Sequence, residues 1–289
     1  MCKAAIFSFL QHLIPQHWLS RGVAKLANFR HPNIKNFLIQ KFIKHFHIDL
    51  SEAEREHIED YLSFNDFFTR KLKASARPIP TEPNLLISPV DGILSQMGKV
   101  SSTGRILQAK GRDYSLMELL GGEFKDISRF QNAFFSTIYL APYHYHRVHL
   151  PMDAELLAMT YCPGDLFSVN PSTAQHVDHL FARNERAVMF FETEYGKMAI
   201  VMVGAMLVSG IETVFAGRVS PSHHKEILHI DYQNDSRTRK SFKRGEELGL
   251  FQFGSTVILL HESPLLKVDT HLSEKTTLRL GQRLGKFNA

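Results

Sequence analysis

The stretch Phe253-Gly254-Ser255-Thr256-Val257-Ile258-Leu259-Leu260 sets a short polar interruption directly before four aliphatic residues. An apolar run entered through turn residues reads as a buried strand, with Ser255 at its entrance. Glycine reaches backbone angles closed to other residues, so the Gly254–Ser255 peptide is expected to be strained, its carbonyl open to the neighbouring hydroxyl. A plain turn feeding a strand fits the same residues, because Gly and Ser are common turn formers. Other short apolar or β-branched runs alternate with Gly, Pro and Asp turns upstream: 85–90, 93–100, 134–140, 155–161, 188–192, 198–208 and 214–216. This pattern predicts a mainly antiparallel β body. The run from Met198 to Ile211 is the most apolar, but Gly204 and Gly210 interrupt it, and it is too short to span a bilayer.

Before residue 75 the pattern is helical. Ile6, Phe9, Leu10, Leu13 and Ile14 share one face up to Pro15; Trp18, Leu19, Val23 and Leu26 continue on a second segment. A third helix is predicted from Asn33, mixing Ile34, Phe37, Leu38 and Phe42 with Lys41 and Lys44. Asp49 to Glu52 reads as the start of an acidic helical stretch, and Ser63 as the cap of a short helix through Phe68. The fold class is therefore α+β: short N-terminal amphipathic helices over residues 1–75, then a β-rich domain over 76–289.

Charge divides at nearly the same place. Residues 1–48 hold seven Lys/Arg and no Asp or Glu, leaving 27 basic against 29 acidic groups in the rest. A nucleic-acid binder spreads such charge over its folded body, so no nucleic-acid partner is implied. Cations interleaved with large apolar residues fit an anionic membrane surface, on which the segment would lie without crossing. An amphipathic cap packed on the body fits the same periodicity. Two cysteines, Cys2 and Cys162, provide no disulfide framework and point to a reducing compartment.

Two further groups could carry chemistry. Asp91 lies in Ser88-Pro89-Val90-Asp91-Gly92, a turn between strands, and Pro142 to Pro151 holds His144, His146, Arg147 and His149. A metal site among the histidines lacks a completing carboxylate or cysteine nearby, so none is expected. Asp91, His149 and Ser255 could instead form a serine hydrolase triad acting on lipid or peptide substrates, although Phe-Gly-Ser-Thr matches no hydrolase signature.

Together these stretches resemble the bacterial, membrane-associated phosphatidylserine decarboxylase family. The likeness extends through Tyr61–Phe68 with Arg70, Ile106–Gly111, Tyr145–Pro151, Pro163–Asn170, Phe181–Arg186, Val203–Thr213 and Phe253–Val257. The family's usual Leu-Gly-Ser-Thr appears here with Phe253 for the leucine. The resemblance implies that His149, held in its tautomer by Asp91, removes the Ser255 proton so that the hydroxyl attacks the Gly254 carbonyl. Chains 1–254 and 255–289 would result and stay associated. Residue 255 would become a covalent pyruvoyl group, the cofactor (bound pyruvate), which forms a Schiff base with phosphatidylserine on the way to phosphatidylethanolamine and CO2. His146, in the His-Arg-Val-His motif, is the candidate proton donor, ahead of His144. Arg147 and Arg183 are candidates for the phosphate. A peripheral place on the cytoplasmic side of the cell membrane follows, and homo-oligomerisation is compatible with it.

Overall fold

A computed structural model describes residues 8, 10–12, 15–109, 111–122, 127–206, 210–220, 224–233, 241–252 and 254–288. Most of the predicted helix from Ile6 to Ile14 lies outside the described residues, as do Phe253 and residues 237–240, the first half of a basic stretch over 237–244.

Helices Gln16–Ala27 and Pro32–Phe46 form the front. Proline at the first position of the second helix costs no hydrogen bond there, and His47 closes it in the left-handed conformation. Both helices pack over Phe64–Phe68, where Ala27, Ile39, Tyr61, Phe64, Phe67 and Phe68 make a small core of their own. The Ser63 hydroxyl accepts the Asp66 amide at 3.1 Å, the predicted cap. Gln11 and Gln16 pin the front to the body by accepting the amides of Ser168 (2.7 Å) and Leu166 (2.6 Å).

The predicted acidic helix after Asp49 does not form; the segment is a turn followed by a short 3-10 turn, Ile58–Asp60. Its charged side chains are engaged across the chain. Glu52 pairs with Arg77, Arg55 with Asp66 and Glu56 with Lys73, which holds the backbone extended beside Leu72.

Among the described residues a nine-stranded sheet dominates the body. Its order is Leu228–Asp231, Ala154–Cys162, Arg186–Thr193, Gly196–Val203, Ser255–His261, Phe134–Leu140, Gly92–Lys99 and Thr277–Leu278, with Ser241–Phe242 also on Ala154–Cys162. A second sheet runs Gly217–Ser220, Gly210–Thr213, Glu247–Gln252, Arg147–His149. All ladders are antiparallel, as the alternating pattern predicted. The expected strand at 214–216 is instead the turn of the hairpin joining Gly210–Thr213 to Gly217–Ser220.

Strand alternation divides the core into two layers. Val257 and Leu259 join Val148, Leu248 and Phe251 in the layer shared by both sheets, whereas Ile258 and Leu260 join Phe135, Phe190 and Val201 on the opposite face. The Ser255–His261 strand is central, flanked by Phe134–Leu140 and Gly196–Val203, and its side chains are buried along its whole length. The chain therefore passes from Glu247–Gln252, an inner strand of the second sheet, to the middle of the first.

Candidate active site

Asp91 sits in the predicted turn and is buried. Gly92 follows because space requires it: an added Cβ would stand 2.6 Å from Ile138 and 2.8 Å from the Tyr139 carbonyl. The Asp91 carboxylate accepts from Arg77 Nε at 2.9 Å and from Arg77 Nη2 at 2.5 Å, and takes the Leu280 amide at 2.8 Å. No hydrogen bond joins it to His149. The expectation that Asp91 fixes the His149 tautomer is thus replaced by a different arrangement.

His149 Nδ1 donates to the Gly245 carbonyl at 2.9 Å, which leaves Nε2 unprotonated to accept the Tyr145 hydroxyl at 3.1 Å. Burial lowers the His149 pKa, opposed by the Gly245 carbonyl and by the charges of Glu247 and Asp91. The ring is therefore a neutral base at pH 7, and Asp91 acts on it through its field. Burial likewise raises the Tyr145 phenol. Tyr145 carried no role in the sequence reading; its spacing four residues before His149 was the available signal.

His146 is sealed from solvent, its ring 4.2 Å from that of Phe68. Nε2 donates to the Ala141 carbonyl at 3.1 Å, while Nδ1 is buried without a partner. Burial first, then the Arg70 charge, hold its pKa down to about 3 against the carbonyls of Ala141 and Pro142. The expectation of a ring titrating near neutrality is not met, because burial disfavours the imidazolium. At pH 7 His146 presents a neutral ring with a free lone pair. His144 is structural: its Nδ1 accepts the Ala141 amide at 2.9 Å while its own amide returns to the Ala141 carbonyl at 3.0 Å, closing the turn.

Ser255 opens its strand opposite Leu140, so it stands beside the Leu140–Ala141 corner to which His146 is bonded. The Phe251 amide ties the incoming strand to the His146 carbonyl at 3.0 Å. The Ser255 hydroxyl is fully buried and has no hydrogen-bond partner. A buried orphan hydroxyl costs about 1–3 kcal/mol, which folded proteins accept mainly where chemistry needs it. Gly254 corrects the expectation of strain: it lies outside the left-handed region, and an added Cβ would meet only the Leu140 carbonyl at 3.9 Å. Neither backbone angle nor space demands glycine there. What a missing side chain does provide is an unshielded carbonyl beside the serine.

No hydrogen bond links Ser255 to His149, so the Asp91–His149–Ser255 triad read from the sequence, for hydrolysis or for self-cleavage, is not joined by hydrogen bonds before reaction. Both arginines named for the phosphate are already engaged. Arg147 donates to the Thr69 carbonyl (2.9 Å) and to Glu247 (2.5 Å); Arg183 pairs with Asp165 at 2.9 Å and lies over Phe167. Among the described residues no three His, Cys, Asp or Glu side chains converge on a common point.

An antiparallel β body with an orphan serine after a glycine, where the chain crosses between sheets, and with neutral histidines buried in the neighbouring turn has the parts that attack on its own backbone would need. A family model described as phosphatidylserine decarboxylase matches residues 64–286, and a second, described as PSD, matches residues 6–47. The chain is 47% identical to the phosphatidylserine decarboxylase proenzyme of Hahella chejuensis, covering 98% of this chain and 94% of that one. It is 47% identical to that of Shewanella pealeana over 96% and 97%, and 49% identical to that of Francisella philomiragia over 89% and 90%. The chain belongs to the phosphatidylserine decarboxylase family.

Proposed function

We propose that this chain cuts its own backbone between Gly254 and Ser255 and then decarboxylates phosphatidylserine to phosphatidylethanolamine at an anionic membrane surface. The observation that carries the reading is the buried, partnerless Ser255 hydroxyl, directly following a glycine that has open space where a side chain would stand. The family and the proenzyme names of its relatives support the same course. No observation favours a serine hydrolase.

His149 is the base for the first step. Its Nε2 takes the serine proton, through or after displacement of the Tyr145 hydroxyl, and the Asp91 charge favours the imidazolium that forms. Ser255 Oγ adds to the Gly254 carbonyl carbon, and the Gly254–Ser255 C–N bond breaks as the amine is protonated, giving an ester. Loss of the Ser255 α-proton then expels the Gly254 carboxylate. Residue 255 is left as dehydroalanine, whose enamine form tautomerises and takes up water to release ammonia. The pyruvoyl group so formed supplies a ketone for the substrate amine and an amide carbonyl that draws electrons as CO2 leaves. His146, beside the Leu140–Ala141 corner, moves the proton that replaces the carboxylate. It must first acquire that proton at Nδ1, because it rests neutral.

The helical front is the membrane-facing part. No helix of the described residues is long and apolar enough to cross a bilayer. Trp18, Phe29 and Phe37 are exposed, and two of them stand beside cations, with Arg21 5.8 Å from the Trp18 ring centre and Lys41 5.5 Å from that of Phe37. Beside the two helices an apolar cavity of about 340 Å³, lined by Leu26, Leu38, Phe42, Phe46 and Phe64 among others, offers a hydrocarbon lining to an acyl chain. Phe46 leads from it to Tyr143 and the histidine turn. A peripheral position on the cytoplasmic side of the cell membrane fits these features and the free, buried Cys162.

Intact mass spectrometry of freshly made protein tests the whole reading. Two chains are expected, 1–254 and 255–289, the shorter with a keto-acyl terminus. Active protein of one uncut chain with an ordinary serine would refute it.

A further inference from the structure

Arg70 is the one group of the cluster for which the steps above find no use. Its side chain belongs to a residue only 5% exposed, yet Nε and Nη1 have no hydrogen-bond partner, and no carboxylate pairs with it. Its contact is with the Phe67 ring, 5.3 Å from the guanidinium carbon. A buried guanidinium left in this state is expensive, since desolvation is uncompensated, and such groups are normally paired. Burial accordingly presses its pKa downward, with Tyr61 and Asp91 the leading charges acting the other way.

Its position is fixed by its neighbours. Phe68 lies against His146, the Thr69 carbonyl is held by Arg147, and the Arg70 charge acts directly on His146. Arg70 thus follows directly on the segment whose Phe68 packs against His146 and whose Thr69 is held by Arg147. We propose that Arg70 is the receptor for the phosphodiester of the substrate lipid, a role that rests on phosphatidylserine being the substrate.

The chemistry selects the phosphodiester over the serine carboxylate. A cation against the carboxylate would stabilise the very charge that must disperse as CO2 leaves, and so raise the barrier. The phosphodiester keeps its charge throughout, so pairing with it holds ground state and transition state alike and lowers KM. It also lies only a few bonds from the amine captured at residue 255. Arg147 and Arg183 are already spent on Glu247 and Asp165, whereas Arg70 has donors to give.

The test uses Arg70→Gln and Arg70→Lys in the full chain with dihexanoyl phosphatidylserine. Arg70→Gln is expected to self-cleave and to raise KM roughly ten- to hundredfold, the worth of a charged hydrogen bond, with kcat little changed; Arg70→Lys should fall between. A folded Arg70→Gln protein that stays uncut would assign the charge to maturation and overturn the proposal. So would an unchanged KM, or a lower kcat at constant KM. Should the variants not fold, the wild type decides alone. Dihexanoyl glycerophosphomethanol, with neither amine nor carboxylate, is expected to compete with substrate, and dihexanoylglycerol is not; failure of the phosphodiester to compete rejects the assignment. A wild-type enzyme that cleaves but turns over no phosphatidylserine would instead remove the substrate reading, and this assignment with it.

Discussion

On the helices Gln16–Ala27 and Pro32–Phe46, Trp18 is 75% and Phe37 57% exposed, whereas Phe135, Phe190 and Phe191 on the nine-stranded sheet are shut away from water. The cations differ too: Arg21 and Lys41 stand over exposed rings in front, while Arg77 in the body is locked onto Asp91 and Glu52. The large sheet buries these rings and Arg77 is paired inside the body, whereas the front leaves rings and cations facing outward side by side. A surface of that composition is stable in water only as long as it is small, and it is the surface that the proposed contact with lipid headgroups would use. Lys35 is the exception that marks the boundary. Although it belongs to the basic front, it turns inward and donates to the carbonyls of Ile58 (3.0 Å) and Glu59 (3.1 Å).

The sharpest way to break the contrast is to disarm the body. Ser255→Ala is expected to give one full-length band on a denaturing gel and no decarboxylation, yet to bind anionic vesicles as the wild type does. Loss of vesicle binding in that variant would mean that the front does not act alone. Next in size, His149→Gln is expected to slow cleavage by about 10²–10⁴-fold, the usual worth of a general base. Because burial lowers its pKa, the neutral ring is already present at pH 7. Cleavage should hold level above neutrality and fail only as pH drops below the ordinary histidine range. A fall between pH 8 and 7 would point to a different base.

Stability gives a third measurement. Burial holds His144, His146 and His261 down to about 4, 3 and 4, from an ordinary value of 6.5. As pH falls, the unfolded chain takes up those protons first, so their contribution is complete above about 6.5 and drains away towards about 4. Denaturant midpoints over that range should fall steadily; a flat profile would show that the rings are already charged in the fold.

The front yields smaller effects. Replacing Trp18 and Phe37 together by Ser should weaken vesicle binding about tenfold or more without moving the cleavage rate, since each ring offers about 1.5 kcal/mol or more of apolar burial. Added salt should weaken wild-type binding further, by screening cations worth about 1 kcal/mol each near the surface. Lys35→Met should behave in the opposite sense: a loss of about 1–3 kcal/mol in stability, read by denaturation, with the salt dependence of binding unchanged. If Lys35→Met instead altered that dependence, its ammonium would have to face the lipid.

Much of this was legible in the sequence because it is local. Phe134–Leu140 is a strand with the predicted bounds, and the Ser63 cap and the serine at a strand entrance are where the pattern placed them. Partnerships across the fold were not legible. Nothing near Asp91 reveals that Arg77 and the Leu280 amide claim its oxygens, and nothing near His149 names Gly245. The failed helix after Asp49 has the same origin, since its charges look solvated in the sequence but meet partners 11 to 25 residues away. Arg70 belonged to a recognisable segment, but its isolation from any carboxylate emerges only once the fold surrounds it. Burial also changed the chemistry of His146, whose residue type promised a ring that titrates near pH 7.

The crossing of the chain between its two sheets has a further consequence, for timing. Residue 255 reaches its place only when the 134–140 and 196–203 strands have closed on either side of it, and its base arrives on a strand of the other sheet. A nascent or misassembled copy meets neither condition. On the course proposed above, each molecule would acquire its reactive ketone only after its own assembly, and a defective one would stay chemically inert.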